Sequence, residues 1–370
     1  MKKDKQVALL LSSLGGGGAE GVCVNIANGL AERGYDVDLI VLNMVDASYK
    51  LRVSTRVNIV SLDVGRIRFA FFPLIKILKK IGVNKVIVFN YELTVLVNLL
   101  RLFLRFECVV FSRNINTMSV RFAEMGGSSF WVRRFLNPFL YRFYFKSDFI
   151  INQCRAMEQD LLELCPELIG RTCVIYNPVA KHIEEYVADN DVSAIDKEDY
   201  FLCVGRLEAQ KAFHYAIHAF HDVLKDYPYV RMKIIGKGSL ERDLKKLAAD
   251  LGVEGSVDFE GFKENVIPYY IKARATVLTS LYEGFPNVLL ESIALGTPVL
   301  AFDCPSGPKE IVVDGVNGWL INYQDVDGLA RSMRKVLSEG RGGSVDELRS
   351  TLKGLTIDDV LDNYEELLAR

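Results

Sequence analysis

The 370-residue sequence predicts an α/β protein made of two doubly wound, Rossmann-like domains that face a cleft. Three observations predict this fold class. Short apolar runs of strand length alternate with amphipathic stretches of helix length, as in parallel sheets covered by helices. The alternation stops over residues 177–199, an acid-rich stretch that we interpret as a linker, and then starts again. The length of the chain also favours two domains over one.

The first half of the sequence begins with a strand and alternates buried strands with amphipathic segments. Strands are expected at residues 7–12, 37–42, 57–62, 85–89, 109–112 and 149–152. Helices are expected at residues 19–33, 73–81 and 92–105. Gly34 ends the first of these helices, and the other two have apolar faces with basic flanks. A first domain of residues 1–178 follows from this pattern.

The second half repeats the pattern over residues 179–354. Strands are expected at residues 201–205, 231–236, 257–260, 276–279, 299–302 and 319–321. Helices are expected at residues 213–225, 240–251 and 266–273, from Asn287 onward, and as a stub at 311–313. Residues 355–370 are expected to form a separate final helix.

The composition is that of a globular protein, with 50% hydrophobic and 25% charged residues. The seven cysteines include no C-x-x-C pair, and no Cys/His group has zinc spacing, which indicates reduced thiols in a cytoplasmic protein. The apolar run near the start covers only residues 7–11, so we interpret it as a buried strand and not as a secretory signal. No apolar stretch is long enough to predict a membrane span.

Charge is distributed unevenly along the chain. Residues 1–180 hold 23 Lys+Arg against 15 Asp+Glu, whereas residues 181–370 hold 22 against 32. Between residues 101 and 146, eight basic residues interleave with twelve aromatic ones. This composition is typical of a surface that lies on an anionic bilayer, and we expect Trp131, Arg133 and Arg134 to contact the membrane or an acceptor. A core helix with snorkelling arginines and a nucleic-acid surface are the alternatives; we expect no nucleic-acid partner.

Two glutamates, Glu283 and Glu291, flank the start of a predicted helix. Gly284 and Pro286 interrupt the preceding structure, and proline is favoured at the first position of a helix. The N–H groups of the first turn, together with the helix dipole, can hold a phosphate. Carboxylates on either side suit the hydroxyls of a ribose or a hexose. The alternative is a buried helix with two solvated acids.

A glycine-rich loop follows the first predicted strand. Gly16, Gly18 and Gly21 form a G-x-G-x-x-G pattern between a strand and a helix, and Asp46 follows the next strand. This is the arrangement of a dinucleotide-binding site, although Asp46 lies further along than the usual spacing of about 20 residues. A dinucleotide-dependent oxidoreductase that uses Gly16 to Gly21 therefore stays open as an alternative.

Arg206 and Lys211 follow the strand expected at residues 201–205. Loops at the ends of such strands line ligand clefts. A planar guanidinium and a flexible ammonium together suit a pyrophosphate. The alternative is a pair of solvated surface charges.

The sequence E-G-F-P-N-V-L-L-E at residues 283–291 resembles the E-x7-E motif of the retaining glycosyltransferases of family 4, which have the GT-B fold. Further segments resemble other motifs of this family in the same order, at residues 14–20, 204–211, 235–240, 304–310 and 314–319. The resemblance implies an acceptor-side first domain, a donor-binding second domain and a last helix that crosses back to the first domain.

The resemblance also implies the residues of the site. The implied catalytic residues are Asn114, Arg206, Lys211 and Glu283. The implied donor-binding residues are Gly16, Gly17, Gly236, Gly238, Gly284, Phe285, Asn287, Val288 and Glu291. In this scheme Glu283 contacts the donor sugar, Glu291 contacts the ribose, and Arg206 with Lys211 neutralises the leaving diphosphate.

The sequence departs from the family at one position. Many members carry a histidine after a strand of the first domain, whereas Arg113 or Asn114 stands in the matching segment here. All four histidines lie in the second half, and the Asn114 amide cannot accept a proton at neutral pH. This favours a front-side route in which the departing phosphate takes the proton of the acceptor.

The reaction implied by the resemblance is transfer of a hexose or N-acetylhexosamine of the galactose type from a UDP-sugar to a lipid-linked or lipopolysaccharide acceptor. The sequence has no Asp-x-Asp in the expected place, so we expect no metal and no cofactor besides the donor. The expected location is the cytoplasm, with peripheral association at the inner face of the cell membrane. A UDP-sugar epimerase of the same fold and a non-catalytic nucleotide-sugar-binding module are the remaining alternatives.

Overall fold

The chain divides into two compact units in a computed structural model that describes residues 5–104, 106–125, 137–340 and 342–370. The first unit consists of Met1–Pro178 and Ile357–Arg370, and the second consists of Val179–Thr356. Each unit contains one parallel sheet covered by helices, which confirms the predicted fold class.

The first unit is built on a seven-stranded parallel sheet. Its strands are β1 Gln6–Leu11, β2 Asp36–Val41, β3 Val57–Ser61, β4 Lys85–Val88, β5 Val109–Arg113, β6 Phe149–Asn152 and β7 Thr172–Val174. The strand order is β3-β2-β1-β4-β5-β6-β7, so the direction of chain progression reverses between β1 and β4. Val7 to Leu11 are all buried, as expected for a strand covered on both faces.

Six helices connect these strands within the described residues. They are α1 Gly18–Glu32, α2 Phe71–Ile81, α3 Tyr91–Leu104, α4 Met118–Met125, α5 Asn137–Tyr144 and α6 Arg155–Leu164. The buried face of α1 packs on β1 and β2, whereas α2 and α3 cover the other face of the sheet.

The second unit repeats the architecture with six parallel strands. The strands are β8 Tyr200–Val204, β9 Arg231–Ile235, β10 Val257–Gly261, β11 Ala275–Leu278, β12 Val299–Phe302 and β13 Gly318–Ile321. The helices of this unit are α7 Lys181–Asp189, α8 Phe213–Val223, α9 Glu241–Asp250, α10 Ile267–Lys272, α11 Asn287–Ala294, α12 Pro308–Ile311, α13 Val326–Glu339 and α14 Val345–Ser350. The order β10-β9-β8-β11-β12-β13 places the reversal between β8 and β11.

The last helix, α15 Ile357–Ala369, packs in the first unit, as the family resemblance implied. It lies against α1 where Gly29 has no side chain, since a Cβ there would be 2.3 Å from Cδ1 of Leu361. The guanidinium of Arg33, the C-cap residue of α1, pairs with three carboxylates of α15, those of Asp358, Asp362 and Glu365.

The structure corrects the interpretation of residues 177–199 as a linker. This stretch contains α7 and a 3₁₀ helix, Val192–Ala194, because its apolar residues are spaced to bury Ile183 and Val192 between exposed acids. Strand β7 and the helices α4, α5, α6, α13 and α14 were also not predicted from the sequence. β7 has only three residues, lies at the edge of its sheet and is only partly buried.

Candidate functional site

The reversal in strand order of the second unit brings two of the predicted motifs together. β8 and β11 are neighbours in the sheet, and the segments that follow their carboxyl ends contain Lys211 and Glu283 respectively. In doubly wound sheets, ligands bind outside the carboxyl ends of strands at such a switch point. The site therefore lies where ligands bind in sheets of this kind.

Lys211 and Glu283 form a largely buried ion pair at this point. The Lys211 Nζ atom lies 2.5 Å from Oε1 of Glu283, and the two side chains are 14% and 8% exposed. The Ser280 hydroxyl donates to the same Oε1 atom at 2.6 Å, and Ser280 is completely buried. One carboxylate oxygen thus receives both a cation and a hydroxyl, which fixes the orientation of the carboxylate.

Backbone hydrogen bonds hold the two segments in register. The backbone N–H of Leu281 donates to the carbonyl of Gln210 at 2.8 Å, and the Gln210 side-chain amide donates to the carbonyl of Tyr282 at 3.0 Å. The Thr279 hydroxyl donates to the carbonyl of Lys211 at 3.0 Å. The position of the ion pair therefore depends on the backbone of both segments.

A third segment, which follows β12, is hydrogen-bonded to the backbone of Glu283. The Ser306 hydroxyl donates to the Glu283 carbonyl, and the Glu283 N–H donates to the carbonyl of Pro305 at 3.3 Å. Burial, reinforced by the Glu283 charge, raises the pKa of the Cys304 thiol to about 12. Cys304 therefore stays a neutral thiol and supplies an apolar wall beside the carboxylate.

Gly307 lets this third segment approach the loop before α11. Its φ of +86° is a conformation that favours glycine, and a Cβ there would lie 2.5 Å from the carbonyl oxygen of Gly284. The predicted donor residues Gly284 and Phe285 lie in this packed loop and are buried. Their position is thus defined by three segments of the second unit.

Arg206 lies on the same loop as Lys211 but is exposed. Glu208, two residues further on, accepts hydrogen bonds from the Ser239 hydroxyl at 2.6 Å and from the Ser239 N–H at 2.9 Å. These bonds lower the pKa of the Glu208 carboxyl. The loop after β8 therefore presents one exposed guanidinium and one largely buried ammonium.

Gly236 and Gly238 allow two loops to pack backbone against backbone. A Cβ at Gly236 would lie 1.8 Å from the carbonyl oxygen of Gly205, and one at Gly238 would lie 2.3 Å from that of Leu207. The Leu207 N–H donates to the carbonyl of Lys237 at 2.9 Å. Both glycines thus have a packing role, and their contact with a donor stays a prediction.

Helix α11 begins at Asn287, as predicted, and Pro286 is its N-cap and not its first helical residue. Asn287 and Val288 form the half-exposed first turn. Glu291 is half-buried, and its Oε2 atom accepts a hydrogen bond of 3.0 Å from the Tyr270 hydroxyl. Burial raises the pKa of Tyr270 well above its ordinary value, and the Glu291 charge adds to this effect. Tyr270 is therefore a fixed donor to Glu291.

In the first unit, the glycine-rich loop connects β1 to α1. Gly16 has a φ of +92°, Gly17 is the N-cap of α1, and the Glu20 carboxylate lies directly over Gly17, 2.4 Å from where a Cβ would be. Gly21 makes room for the ring of Tyr49. A carboxylate at this helix terminus would repel a dinucleotide pyrophosphate. Asp46 is exposed and lies beyond the end of β2.

Asn114 and Arg113 are members of a buried hydrogen-bond network. The Asn114 amide donates to Oδ1 of Asn152 at 2.8 Å and accepts from the Tyr144 hydroxyl. The Arg113 guanidinium donates to the Tyr364 hydroxyl at 2.5 Å and to Oδ1 of Asn177 at 2.6 Å. Both residues at the histidine position are thus tied into the interior of the first unit.

Trp131, Arg133 and Arg134 lie outside the described residues. Within the residues that the structure does describe, no cluster of three or more His, Cys, Asp or Glu side chains has a geometry that could hold a metal. Across the same part of the chain, every helix is too short or too polar to span a membrane. Ser280 and Tyr270 could not be predicted from the sequence, because a single hydroxyl residue forms no recognisable motif.

Two family models match the chain. The model described as "Glycosyltransferase Family 4" matches residues 16–181, and the model described as "Glycosyl transferases group 1" matches residues 187–353. Together they cover every described strand of both sheets except β1.

Individual proteins agree with these models. The chain is 26% identical over 360 residues to the Campylobacter jejuni N-acetylgalactosamine-N,N'-diacetylbacillosaminyl-diphospho-undecaprenol 4-alpha-N-acetylgalactosaminyltransferase, covering 94% of this chain and 93% of that protein. It is 33% identical over 171 residues to the Salmonella typhimurium lipopolysaccharide 1,6-galactosyltransferase, covering 45% and 46%. The solved structure of Anabaena HepE in complex with UDP-glucose superposes with a TM-score of 0.77 at 17% identity, covering 98% and 99%. From its motifs, its two parallel sheets and these matches, the chain belongs to the GT-B glycosyltransferases of family 4.

Proposed function

We infer that this glycosyltransferase moves a hexose or N-acetylhexosamine of the galactose type from a UDP-sugar to a lipid-linked or lipopolysaccharide glycan, with retention of configuration. The printed activities of the Campylobacter and Salmonella relatives support the sugar and the acceptor class. The UDP-glucose complex of Anabaena HepE supports a uridine donor. Because the acceptor is lipid-bound, the enzyme is expected to work in the cytoplasm against the inner face of the membrane.

The observation that carries this proposal is the ion pair between Lys211 and Glu283. The two residues are 72 positions apart, and the reversal in strand order places them together at the carboxyl ends of β8 and β11. Lys211 supplies a cation that suits a phosphate, and Glu283 supplies a carboxylate that suits sugar hydroxyls. The pair therefore suits the two parts of a nucleotide sugar.

In the proposed mechanism, the donor diphosphate binds between Arg206, Lys211 and the N-terminus of α11. These groups stabilise the negative charge that develops as the bond between the anomeric carbon and the phosphate oxygen breaks. Glu283 accepts hydrogen bonds from hydroxyls of the donor sugar and Glu291 accepts from the ribose. The cations take the place that a metal ion has in other transferases, so we propose metal-independent transfer.

Retention requires that the acceptor oxygen bonds to the same face of the anomeric carbon that the phosphate leaves. The departing phosphate oxygen takes the acceptor proton in this front-side route, because Asn114 cannot serve as a base. The buried amide of Asn114 then has a positioning role within the first unit. This route needs no further acid or base, because the departing phosphate oxygen takes the proton that the acceptor hydroxyl loses.

The test is transfer from a panel of UDP-sugars to undecaprenyl-diphosphate-linked glycans and to truncated lipopolysaccharide. The Glu283→Gln variant should keep its affinity for UDP and lose at least about a hundredfold in kcat, whereas Glu339→Gln on the exposed end of α13 should match the wild type. NMR of the product should show the anomeric configuration of the donor, and EDTA should leave the rate unchanged.

Specific outcomes would contradict the proposal. Equal transfer rates in the wild type and Glu283→Gln would remove Glu283 from the site. Conversion of a UDP-sugar to its epimer without any acceptor would identify an epimerase. Tight binding of UDP-sugars with no transfer to either acceptor class would indicate a binding module.

A further inference from the structure

The stretch that contains α2 has an unusual charge composition. Residues 64–91 hold six Lys+Arg and no Asp or Glu. None of these basic residues therefore has an acidic neighbour within its own stretch. A local positive field of this kind attracts anionic surfaces.

Helix α2 separates its apolar residues from its basic ones. Leu74, Ile75 and Leu78 are buried in the core of the first unit. The opposite side exposes Phe72, which is 77% exposed, together with Lys76, Lys79 and Lys80. The spacing i, i+4, i+7 and i+8 places these four side chains on one helix face.

The turn before α2 extends this face. A 3₁₀ helix, Ile67–Phe69, leads into α2, and Arg66, Arg68 and Phe69 are all exposed. Phe69 is 58% exposed, and the guanidinium of Arg68 lies over its ring at 4.8 Å. The two exposed phenylalanines thus have arginines before them in the chain and lysines after them.

We propose that this surface docks on an anionic lipid bilayer. The α2 face is defined by Arg66, Arg68, Phe69, Phe72, Lys76, Lys79 and Lys80. Phe69 and Phe72 would enter the boundary between headgroups and acyl chains, which removes their rings from water. The basic side chains would contact lipid phosphates, each contributing through the negative surface potential of the membrane.

A bilayer fits this face better than a nucleic acid does. Single-stranded nucleic acids bind in grooves where successive bases stack on successive aromatic rings. The α2 face is instead the convex side of a helix, with its two phenylalanines at one end and three lysines at the other. A bilayer can bind both ends, because its anionic headgroups attract the lysines and its apolar layer takes up the phenylalanine rings.

The inference goes beyond the proposed transfer reaction and is independent of it. The α2 face lies in the first unit, and the residues proposed to bind the donor diphosphate lie in the second. Vesicle binding is measured without donor or acceptor. Failure of either proposal can therefore be recognised separately.

The first arm of the test measures charge. The full chain is sedimented with phosphatidylcholine vesicles that contain or lack phosphatidylglycerol. Wild type should bind only the anionic vesicles, and Lys76→Glu with Lys80→Glu should weaken binding at least about thirtyfold, from the loss of two basic contacts. The matched control is Arg242→Glu with Lys246→Glu, an exposed basic pair with the same spacing on α9, which should bind as the wild type does.

The second arm measures the aromatic contribution. Phe69→Ser with Phe72→Ser should weaken binding at least about tenfold while the dependence on salt concentration persists. Tyr229→Ser, which removes an exposed aromatic ring from the second unit, should have no effect. All variants should keep the wild-type melting temperature and UDP affinity.

Three results would overturn the inference. One is that the lysine double variant and the phenylalanine double variant both bind anionic vesicles as strongly as the wild type does. Another is equal binding of the wild type to neutral and anionic vesicles. The third is binding to a polyuridine RNA without binding to anionic vesicles, which would assign the face to nucleic acid.

Discussion

Glu283 is oriented by Lys211, which also binds the donor diphosphate in the proposed scheme, and by Ser280, which has no contact with the donor in that scheme. Lys211 and Ser280 both contact its Oε1 atom, and Ser280 is completely buried. A carboxylate that is held in place before the substrate binds loses less entropy on binding and stabilises the transition state without reorganisation. Ser280 is therefore a positioning residue.

The Ser280→Ala variant tests this role. We expect kcat to fall by about tenfold, because Oε1 of Glu283 loses the hydrogen bond from Ser280, while UDP affinity stays unchanged. Steady-state kinetics and UDP calorimetry measure the two effects. Ser292→Ala is the control, since Ser292 is also buried and hydrogen-bonded in the second unit but contacts Thr276 and Thr297. An equal fall in kcat in both variants would show a merely structural effect.

A site residue could be predicted from the sequence only where it belongs to a recognisable motif. Glu283 and Lys211 were predicted because each belongs to a sequence motif, and the structure brings them into contact. Ser280 and Tyr270 could not be predicted, because their partners depend on which strands are neighbours in the sheet. Asn114 was named from the family resemblance, at the position of the histidine, but its hydrogen bonds to Asn152 and Tyr144 depend on long-range packing.

At the scale of elements, the loops after β8 and β9 form one packed layer. Gly236 has a φ of +142°, and a Cβ at this position would overlap the carbonyl of Gly205. The loop that carries Arg206 and Lys211 rests on this contact.

The Gly236→Ala variant should consequently lose about 2–4 kcal/mol of unfolding free energy through backbone strain and overpacking. UDP affinity should fall with it, because the loop after β8 must move. Gly255→Ala is the control, since a Cβ there meets open space. Urea denaturation and UDP calorimetry would measure both, and equal stabilities of the two variants would refute the packing role of Gly236.

Helix α8 is expected to make the second unit sensitive to acid. Burial, with a smaller contribution from the charge of His218, lowers the pKa of His214 from its ordinary value of 6.5. Because the unfolded chain then binds a proton more readily than the folded one, stability falls as the pH drops below about 6.5.

The His214→Gln variant should remove this part of the acid sensitivity. Between about pH 7.5 and about pH 5.5, its melting temperature should fall less than that of the wild type. At the upper pH the two proteins should differ only by the packing of the side chain. A larger acid-induced fall in His214→Gln than in the wild type would contradict the assigned direction of the pKa shift.

At the scale of the whole molecule, two parallel sheets with the same kind of reversal account for the fold. The reversals occur at β1/β4 and at β8/β11, and the predicted glycine loop and the Lys211–Glu283 pair follow strands at these points. Strands of four or more buried residues were predictable from their apolar runs. The short edge strand β7 and the amphipathic helix α7 were not, because their burial depends on neighbours distant in sequence.

The last helix, α15, is hydrogen-bonded to a buried cation of the first unit, Arg113. Arg113 is fully buried, and among the described residues no carboxylate pairs with it; its acceptors include the Tyr364 hydroxyl of α15. The interaction therefore couples the end of the chain to the centre of the first sheet.

Tyr364→Phe should lower the unfolding free energy of the first unit by about 2 kcal/mol, because a buried charged donor loses an acceptor. Tyr35→Phe is the control, since the Tyr35 hydroxyl meets α15 at a partly exposed position and water can replace its hydrogen bond. Urea denaturation followed by hydrogen exchange in β5 would measure the effect. Equal stabilities of the two variants would contradict the role of Arg113.

The central claim is that the second unit binds a uridine diphosphate through the loop after β8. The most direct measurement is the shift in melting temperature caused by UDP, GDP, ADP and NAD in the wild type and in Arg206→Ala, with Lys353→Ala as an exposed control. We predict a shift with UDP in the wild type and in Lys353→Ala that disappears in Arg206→Ala. A shift with NAD and none with any nucleoside diphosphate, or a UDP shift that survives in Arg206→Ala, would contradict the claim.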